Sequence, residues 1–121
     1  MPQRLATIDL GSNSCVLLVL ERAEDRIVRV TSELALTRLS QGLDASGALS
    51  QQAMDRSLQA LRDFAAKAQE LGATSIYAVG TAALREAMNR EVMIQAARDF
   101  GVDLRPITGL EEAGLNIEEI L

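Results

Sequence analysis

The chain has 121 residues, of which 48% are hydrophobic, and it carries a formal net charge of −5 with no histidine. This length suits a single domain, 1–121, and the acidic balance argues against binding a nucleic-acid polymer. The longest apolar run, residues 15–20, is too short to span a bilayer, and no signal peptide is predicted. We therefore expect a cytoplasmic protein without a membrane partner, in which a carboxylate is the best available general base.

Three strands are predicted at the start of the chain. Residues 5–10 and 14–20 are apolar runs, and residues 26–39 alternate in a pattern that indicates one long or bent strand. The links between them are too short for a parallel crossover, which predicts an antiparallel meander. Cys15, the lone cysteine, lies in the second run and is expected to be a buried, unreactive thiol.

A long helix and a further strand follow. Ser50 is placed to cap a helix whose apolar residues recur at helical spacing, and Gly72 is placed to end it. Residues 74–79 then form a strand that is reached by a helical crossover. Such a strand is expected to lie parallel to a neighbour in the sheet.

The rest of the chain predicts alternating helices and strands. Residues 80–88 favour a short helix, Asn89 is placed to cap the next one, and Gly101 is placed to end it. Residues 102–107 form a further strand, and residues 108–121 begin a last helix. The chain therefore predicts an α/β fold with a mixed five-stranded sheet.

The first segment with chemical potential lies at residues 9–14. Gly11 permits close backbone approach to a phosphate oxygen, Ser12 and Ser14 offer hydroxyls, and Asp9 could hold Mg²⁺. A plain hairpin turn uses the same residue types for conformational reasons. This segment alone leaves both interpretations open.

The second segment lies where the 74–79 strand meets the following helix. An anion could bind at such a helix start, and Arg85 is expected in its first turns, where its charge opposes the helix dipole. A cation in that position favours an anionic partner. The alternative is a solvated arginine, since Glu86 and Arg90 are spaced for surface pairing.

The third segment begins after the 102–107 strand. Thr108 and Glu111 have the spacing of a capping box, which gives Glu111 a structural role. Glu112 has no such role and is the candidate catalytic carboxylate. The alternative is that Glu112 is an acidic residue whose charge suits the first turn of a helix.

Together these segments resemble the exopolyphosphatase / guanosine pentaphosphate phosphatase family. The resemblance is carried by IDLGSNS at residues 8–14, GTAALREAMN at 80–89 and ITGLEEA at 107–113. The loop that contains Leu39, Gly42, Leu43 and Leu49 also looks like the family's, and order and spacing agree over about residues 5–113. The resemblance implies the actin-like ATPase superfamily and a ribonuclease-H-like half-domain.

The resemblance also implies a role for each candidate site residue. Asp9 would help to hold Mg²⁺, Arg85 would bind the polyphosphate or guanosine pentaphosphate substrate, and Glu112 would orient or deprotonate the attacking water. The first phosphate loop would be lined by Gly11, Ser12, Asn13 and Ser14.

The chain departs from the family pattern after Ala113. Residues 114–121 lack the arginine and the aromatic residue expected there, and the second phosphate loop is not in the sequence. We therefore expect the isolated chain to be a truncated N-terminal domain that is weakly active or inactive. The alternatives are a non-catalytic phosphate- or nucleotide-binding module that forms a homodimer through its exposed face, and a structural fragment without ligand affinity.

Overall fold

The computed structural model describes residues 2–107. This part of the chain forms, in order, β1 (Gln3–Leu10), β2 (Ser14–Ala23), β3 (Arg26–Leu36), α1 (Leu43–Ser46), α2 (Gln51–Glu70), β4 (Ser75–Gly80), α3 (Ala82–Glu86), α4 (Arg90–Asp99) and β5 (Leu104–Pro106). None of the helices in these residues combines the length and hydrophobicity needed to cross a membrane.

The strands form one mixed sheet in the order β3-β2-β1-β4-β5. β1 pairs antiparallel with β2, and β2 pairs antiparallel with β3, which confirms the predicted meander. β4 is parallel to β1, and β5 is parallel to β4. The carboxyl ends of β1, β4 and β5 therefore meet at one edge, where Gly80 is the register partner of both Leu10 and Pro106.

The core lies between the sheet and the helices. Alternation along the first two strands directs one set of apolar side chains inward, and Ala6, Ile8, Leu10, Cys15, Leu17 and Val19 are fully buried. Helix α2 packs against β1 and β2 and buries Met54, Leu61 and Phe64 against them. The opposite side of β1 carries Asp9, which is exposed.

Both predicted ends of the long helix are confirmed. The Ser50 hydroxyl accepts a hydrogen bond from the Ala53 amide at 3.1 Å, which satisfies one of the unpaired donors of the first turn. Helix α2 ends at Glu70 with Leu71 as its C-cap, and Gly72 follows with φ 82°, a left-handed conformation that glycine adopts without steric cost.

The strand predicted over residues 26–39 is longer than the one observed. β3 ends at Leu36 because the amides of Thr37 and Arg38 both donate to the carbonyl oxygen of Asn13, each at 3.0 Å. These bonds turn the chain away from the ladder with β2. The loop that follows contains the short helix α1, which the sequence analysis did not predict.

The predicted boundaries after β4 also need correction. Helix α3 ends at Glu86 rather than near Met88, because Ala87 is extended and the Met88 amide donates to the Gly47 carbonyl at 2.9 Å. Asn89 does not cap α4 with its side chain. Its amide group accepts from the Leu49 amide at 2.8 Å and donates to the Leu49 carbonyl at 3.0 Å.

The last described strand is shorter than residues 102–107. The amide of Val102 donates to the carbonyl of Ala97 at 3.0 Å, so this residue completes the end of α4 instead of joining the sheet. Gly101 has φ 91°, in agreement with its predicted place at the helix end. The predicted helix over 108–121 lies outside the described residues.

Candidate phosphate-binding site

Asp9 lies one residue before the end of β1, at the edge where the parallel strands end. Its register partners are Val16 in β2 and Val79 in β4, and its side chain is exposed. Alternation along the strand sets the carboxylate on the side opposite to the buried Ile8 and Leu10. A carboxylate in this position can meet a ligand that approaches the carboxyl edge of the sheet.

Residues 11–14, here named the 11–14 turn, connect β1 to β2. The Gly11 amide donates to the Ser14 carbonyl at 2.9 Å, which closes the turn. Within residues 2–107, no acceptor is found for the amides of Ser12 and Asn13. The turn is thus a hairpin connection that also offers backbone donors, the kind of group that binds phosphate oxygens.

Thr81 lies beside this turn, although the sequence analysis did not propose it as a site residue. Its amide donates to the Leu10 carbonyl at 3.1 Å, and a Cβ added to Gly11 would lie 3.9 Å from its Oγ1 atom. The register of the parallel strands accounts for this position: Leu10 and Gly80 are partners, and Gly11 and Thr81 are the residues that follow them. Parallel pairing of the two strands brings their next residues together.

Arg85 is positioned by a backbone bond at the start of α3 and by a side-chain bond to the residue after β5. It is half-buried, its amide donates to the Thr81 carbonyl at 2.9 Å, and its Nη1 donates to the Ile107 carbonyl at 2.6 Å. The expectation that its charge opposes a helix dipole is wrong, because α3 has five residues and Arg85 lies in its last turn. Arg90 also donates to the Arg85 carbonyl, at 3.0 Å, where the sequence had suggested pairing with Glu86.

Ile107 brings the third sequence segment to the same edge. Its amide donates to the Gly80 carbonyl at 3.0 Å, and its carbonyl accepts from Arg85. The segment that follows contains Thr108, Glu111 and Glu112, which lie outside the described residues. The role of Glu112 as a catalytic carboxylate therefore stays a prediction.

Cys15 is close to the site but unsuited to its chemistry. The side chain is fully buried, and burial together with the negative charge of Asp9 raises the pKa of the thiol from 9.0 to about 12. The reactive form of cysteine is the thiolate. Cys15 is therefore an unreactive core residue near neutral pH, as its sequence environment indicated.

The donor chemistry near Asp9 fits a magnesium ion that is shared with a substrate. In the described part of the chain, no group of three or more His, Cys, Asp or Glu side chains could hold a metal. Mg²⁺ commonly takes one or two carboxylates and completes its coordination with water and phosphate oxygens. A single exposed carboxylate beside a turn with available amides fits that pattern.

Residues 37–41, of which 37–39 had been predicted as strand and 40–41 as loop, support the turn. The Ser40 amide donates to the Ser12 carbonyl at 3.0 Å, close to the two bonds that Asn13 accepts. The guanidinium of Arg56 in α2 donates to the carbonyl of Thr37 at 3.0 Å and to Oε1 of Gln41 at 2.6 Å. Residues 37–41 and α2 thus fix the outer side of the 11–14 turn.

Comparison with known proteins identifies a phosphatase family and a relative with a related activity. The profile of the Ppx/GppA phosphatase family matches residues 18–120. The guanosine-5′-triphosphate,3′-diphosphate pyrophosphatase of Vibrio atlanticus (strain LGP32) is 37% identical over 113 residues, which cover 93% of this chain and 23% of that protein. The chain thus spans about a quarter of that relative's length.

Solved structures of related enzymes share the fold. A Ppx/GppA family member from Aquifex aeolicus superposes with a TM-score of 0.88 at 25% identity, over 93% of this chain and 37% of that one. An exopolyphosphatase from Cytophaga hutchinsonii also gives 0.88, at 30% identity, over 98% of this chain and 38% of that one. The predicted ribonuclease-H-like half-domain with a mixed five-stranded sheet is confirmed.

Proposed function

Because this chain belongs to the Ppx/GppA phosphatase family, we propose that it is the N-terminal part of an exopolyphosphatase-type phosphohydrolase. The reaction is release of terminal phosphate from inorganic polyphosphate or guanosine pentaphosphate. One observation carries the proposal: the three sequence segments meet at one edge of the sheet, through the bonds from Thr81 to Leu10, Ile107 to Gly80 and Arg85 to Ile107.

The described residues supply the binding part of this reaction. The amides of Ser12 and Asn13 donate to oxygens of the bound phosphate, the hydroxyls of Ser12 and Ser14 add further donors, and Arg85 offers a planar guanidinium. Phosphoryl transfer depends on positioning and on neutralising charge more than on covalent help. A turn and an arginine at one sheet edge meet both needs.

Two further residues complete the proposed site. Asp9 would hold Mg²⁺, which when bound offsets negative charge on the phosphate oxygens. Glu112 accepts a proton from the water that attacks the terminal phosphorus, and the shortened polyphosphate leaves from the opposite side. Support for Glu112 comes from its place five positions after Ile107, whose carbonyl contacts Arg85.

We propose that the 121-residue polypeptide binds polyphosphate but turns it over slowly or not at all. It spans 37% and 38% of the two solved relatives described above. The groups that surround the transition state in a complete enzyme act together. A subset of these groups therefore supports only a small fraction of the full catalytic rate. Binding and turnover therefore need separate measurements.

The test uses phosphate release and two matched acidic variants. The pure polypeptide is expected to release phosphate from polyphosphate near the background rate in the presence of Mg²⁺. In a family enzyme whose N-terminal part is replaced by this chain, Glu112→Gln should lower kcat about 10²-fold or more, whereas Glu111→Gln should change it little. Full activity of the Glu112→Gln enzyme would refute the role of that carboxylate.

A second candidate is a phosphate- or nucleotide-binding module that self-associates as a homodimer without catalysis. It is favoured by β3, an edge strand on which the side chains of Leu34 and Leu36 are 63% and 66% exposed. Exposed apolar residues on a long edge strand favour association. Sedimentation of the polypeptide separates the candidates. A monomer at high concentration argues against the self-associating module. The module is supported if the polypeptide is a dimer that binds phosphate and the hybrid enzyme shows no turnover.

A further inference from the structure

Residues 37–41 are fastened to the 11–14 turn through backbone bonds. The amides of Thr37 and Arg38 lie 3.0 Å from the carbonyl oxygen of Asn13, and the Ser40 amide lies 3.0 Å from that of Ser12. These bonds engage the carbonyls of the turn and leave its Ser12 and Asn13 amides for another ligand. Arg38 is therefore held directly beside the proposed phosphate-binding turn.

The fold holds Arg38 in a conformation that arginine rarely adopts. Its φ is 49°, in the left-handed region where the Cβ atom crowds the backbone. Arg56 supports this conformation, because its guanidinium donates to the carbonyls of Thr37 and Arg38 at 3.0 and 3.4 Å. Strained backbone that is held in this way tends to occur at functional positions.

The charge around Arg38 favours an anionic ligand. Its side chain is exposed, and no hydrogen-bond or ion-pair partner for its guanidinium is found in residues 2–107. Arg56 donates only to neutral oxygens there. By contrast, Arg4 and Arg105 are paired with carboxylates at 2.9 Å. The net charge of the chain is negative, yet two guanidinium groups without carboxylate partners among residues 2–107 lie at the segment that bonds with the 11–14 turn.

We propose that Arg38 is a further substrate-binding residue that contacts a phosphate group of a condensed phosphate held at the 11–14 turn. Arg38 follows β3, whereas Arg85 follows β4, and β2 and β1 lie between those strands. Three steps of about 4.8 Å separate β3 from β4. Orthophosphate is too small to contact both arginines, whereas several linked phosphates reach from one to the other. This inference rests on the proposed function of the turn.

The test compares tripolyphosphate and orthophosphate binding to the full 121-residue chain with Mg²⁺ by calorimetry. Arg38→Gln should weaken tripolyphosphate binding about tenfold, as loss of a charge-assisted contact does, and change orthophosphate binding less. Arg29→Gln is the matched control, because it removes the same charge from an exposed position within β3, away from the loop that contains Arg38. That variant should bind tripolyphosphate as the unaltered chain does.

Arg38→Gly separates binding from folding. Glycine accepts the left-handed conformation, so the thermal midpoint of this variant should equal or exceed that of the unaltered chain. Its tripolyphosphate affinity should still fall about tenfold, as for Arg38→Gln. Weaker binding with undiminished stability assigns the guanidinium to ligand contact.

The possible results distinguish this inference from the proposed function. If the unaltered chain binds no tripolyphosphate, both are overturned. If the unaltered chain binds tripolyphosphate, and both Arg38→Gln and Arg38→Gly bind it as tightly as the unaltered chain does, only the role of Arg38 is overturned. An equal loss in Arg29→Gln would also overturn it, because the effect would then reflect net charge alone.

Discussion

The Nη1 atom of Arg85 lies 2.6 Å from the carbonyl oxygen of Ile107, to which it donates a hydrogen bond. Arg85 belongs to α3, directly after β4, and Ile107 directly follows β5. The bond therefore joins the ends of two parallel strands at the edge where β1 also ends. It fixes the guanidinium at this edge and holds Ile107, the last described residue, at the same edge.

Replacing Arg85 should weaken binding of condensed phosphate. Arg85→Gln is expected to lower tripolyphosphate affinity about tenfold or more, because hydrogen bonds to charged groups contribute about 1.5–3 kcal/mol. The tripolyphosphate affinity of Arg85→Lys should lie between those of the unaltered chain and Arg85→Gln, since lysine keeps the charge but lacks the planar guanidinium group. Calorimetric titration in the presence of Mg²⁺ measures both.

The control for these variants is Arg98→Gln, which removes an exposed arginine from the last turn of α4. It should leave the affinity unchanged. If Arg85→Gln bound tripolyphosphate as tightly as Arg98→Gln, the assignment of Arg85 to phosphate binding would be wrong.

Gly80 should be intolerant of a side chain. A Cβ added there would overlap the side chain of Leu84 and lie 2.9 Å from its Cβ atom, and Leu84 is fully buried. Gly80→Ala is therefore expected to reduce the free energy of unfolding by about 1–3 kcal/mol, as overpacking does. Urea denaturation measures this loss.

A double variant identifies the cause of that loss. If the clash with the outer atoms of Leu84 is responsible, Gly80→Ala should cost less in a Leu84→Ala background, which removes Cγ and Cδ2 of Leu84 but keeps its Cβ, and the two changes should not be additive. Gly72→Ala provides a comparison in which strain at φ 82° acts without a close contact. Additive losses for Gly80 and Leu84 would show that the outer atoms of Leu84 do not determine the effect.

The thiol of Cys15 should make stability depend on pH in alkaline solution. Burial and the charge of Asp9 raise its pKa from 9.0 to about 12, so the folded chain holds this proton more tightly than the unfolded chain. The contribution is fully present below 9.0 and is lost as pH rises towards about 12. The free energy of unfolding should therefore fall more steeply with pH than in Cys15→Ala.

Thiol labelling offers an independent check of the same environment. Cys15 should react with a maleimide only after unfolding, because the thiolate is the nucleophile and the side chain is fully buried. A Cys15→Ala chain with a cysteine introduced at Ala66, an exposed position of α2, should react at once. Rapid labelling of Cys15 in the folded chain would contradict the buried position.

Local sequence signals predicted much of the fold. Ser50 and Gly72 were placed correctly at the ends of α2, because a cap and a left-handed residue depend on a few neighbouring residues. The short links of the meander limited its pairing to antiparallel strands. The convergence of the second and third segments at one sheet edge was not predicted, because it depends on the parallel pairing of β4 with β5.

Features that depend on distant contacts were missed or misplaced. Asn89 has the residue type of a helix cap, but it bonds with the backbone of Leu49, forty positions away, at 2.8 and 3.0 Å. Arg56 bonds with Thr37 and Gln41 across the turn between sheet and helix. Such partners are set by the tertiary packing of segments that are distant in the sequence, which no pattern within either segment encodes.

The most direct test of the proposed site is the amide spectrum of the isotope-labelled chain during titration with tripolyphosphate and Mg²⁺. Concentration-dependent shifts are expected to be largest at Ser12, Asn13, Thr81 and Arg85, with small shifts along the exposed face of α4. Saturable binding with no shift at the 11–14 turn, or no binding at all, would contradict the assignment of this sheet edge to phosphate recognition.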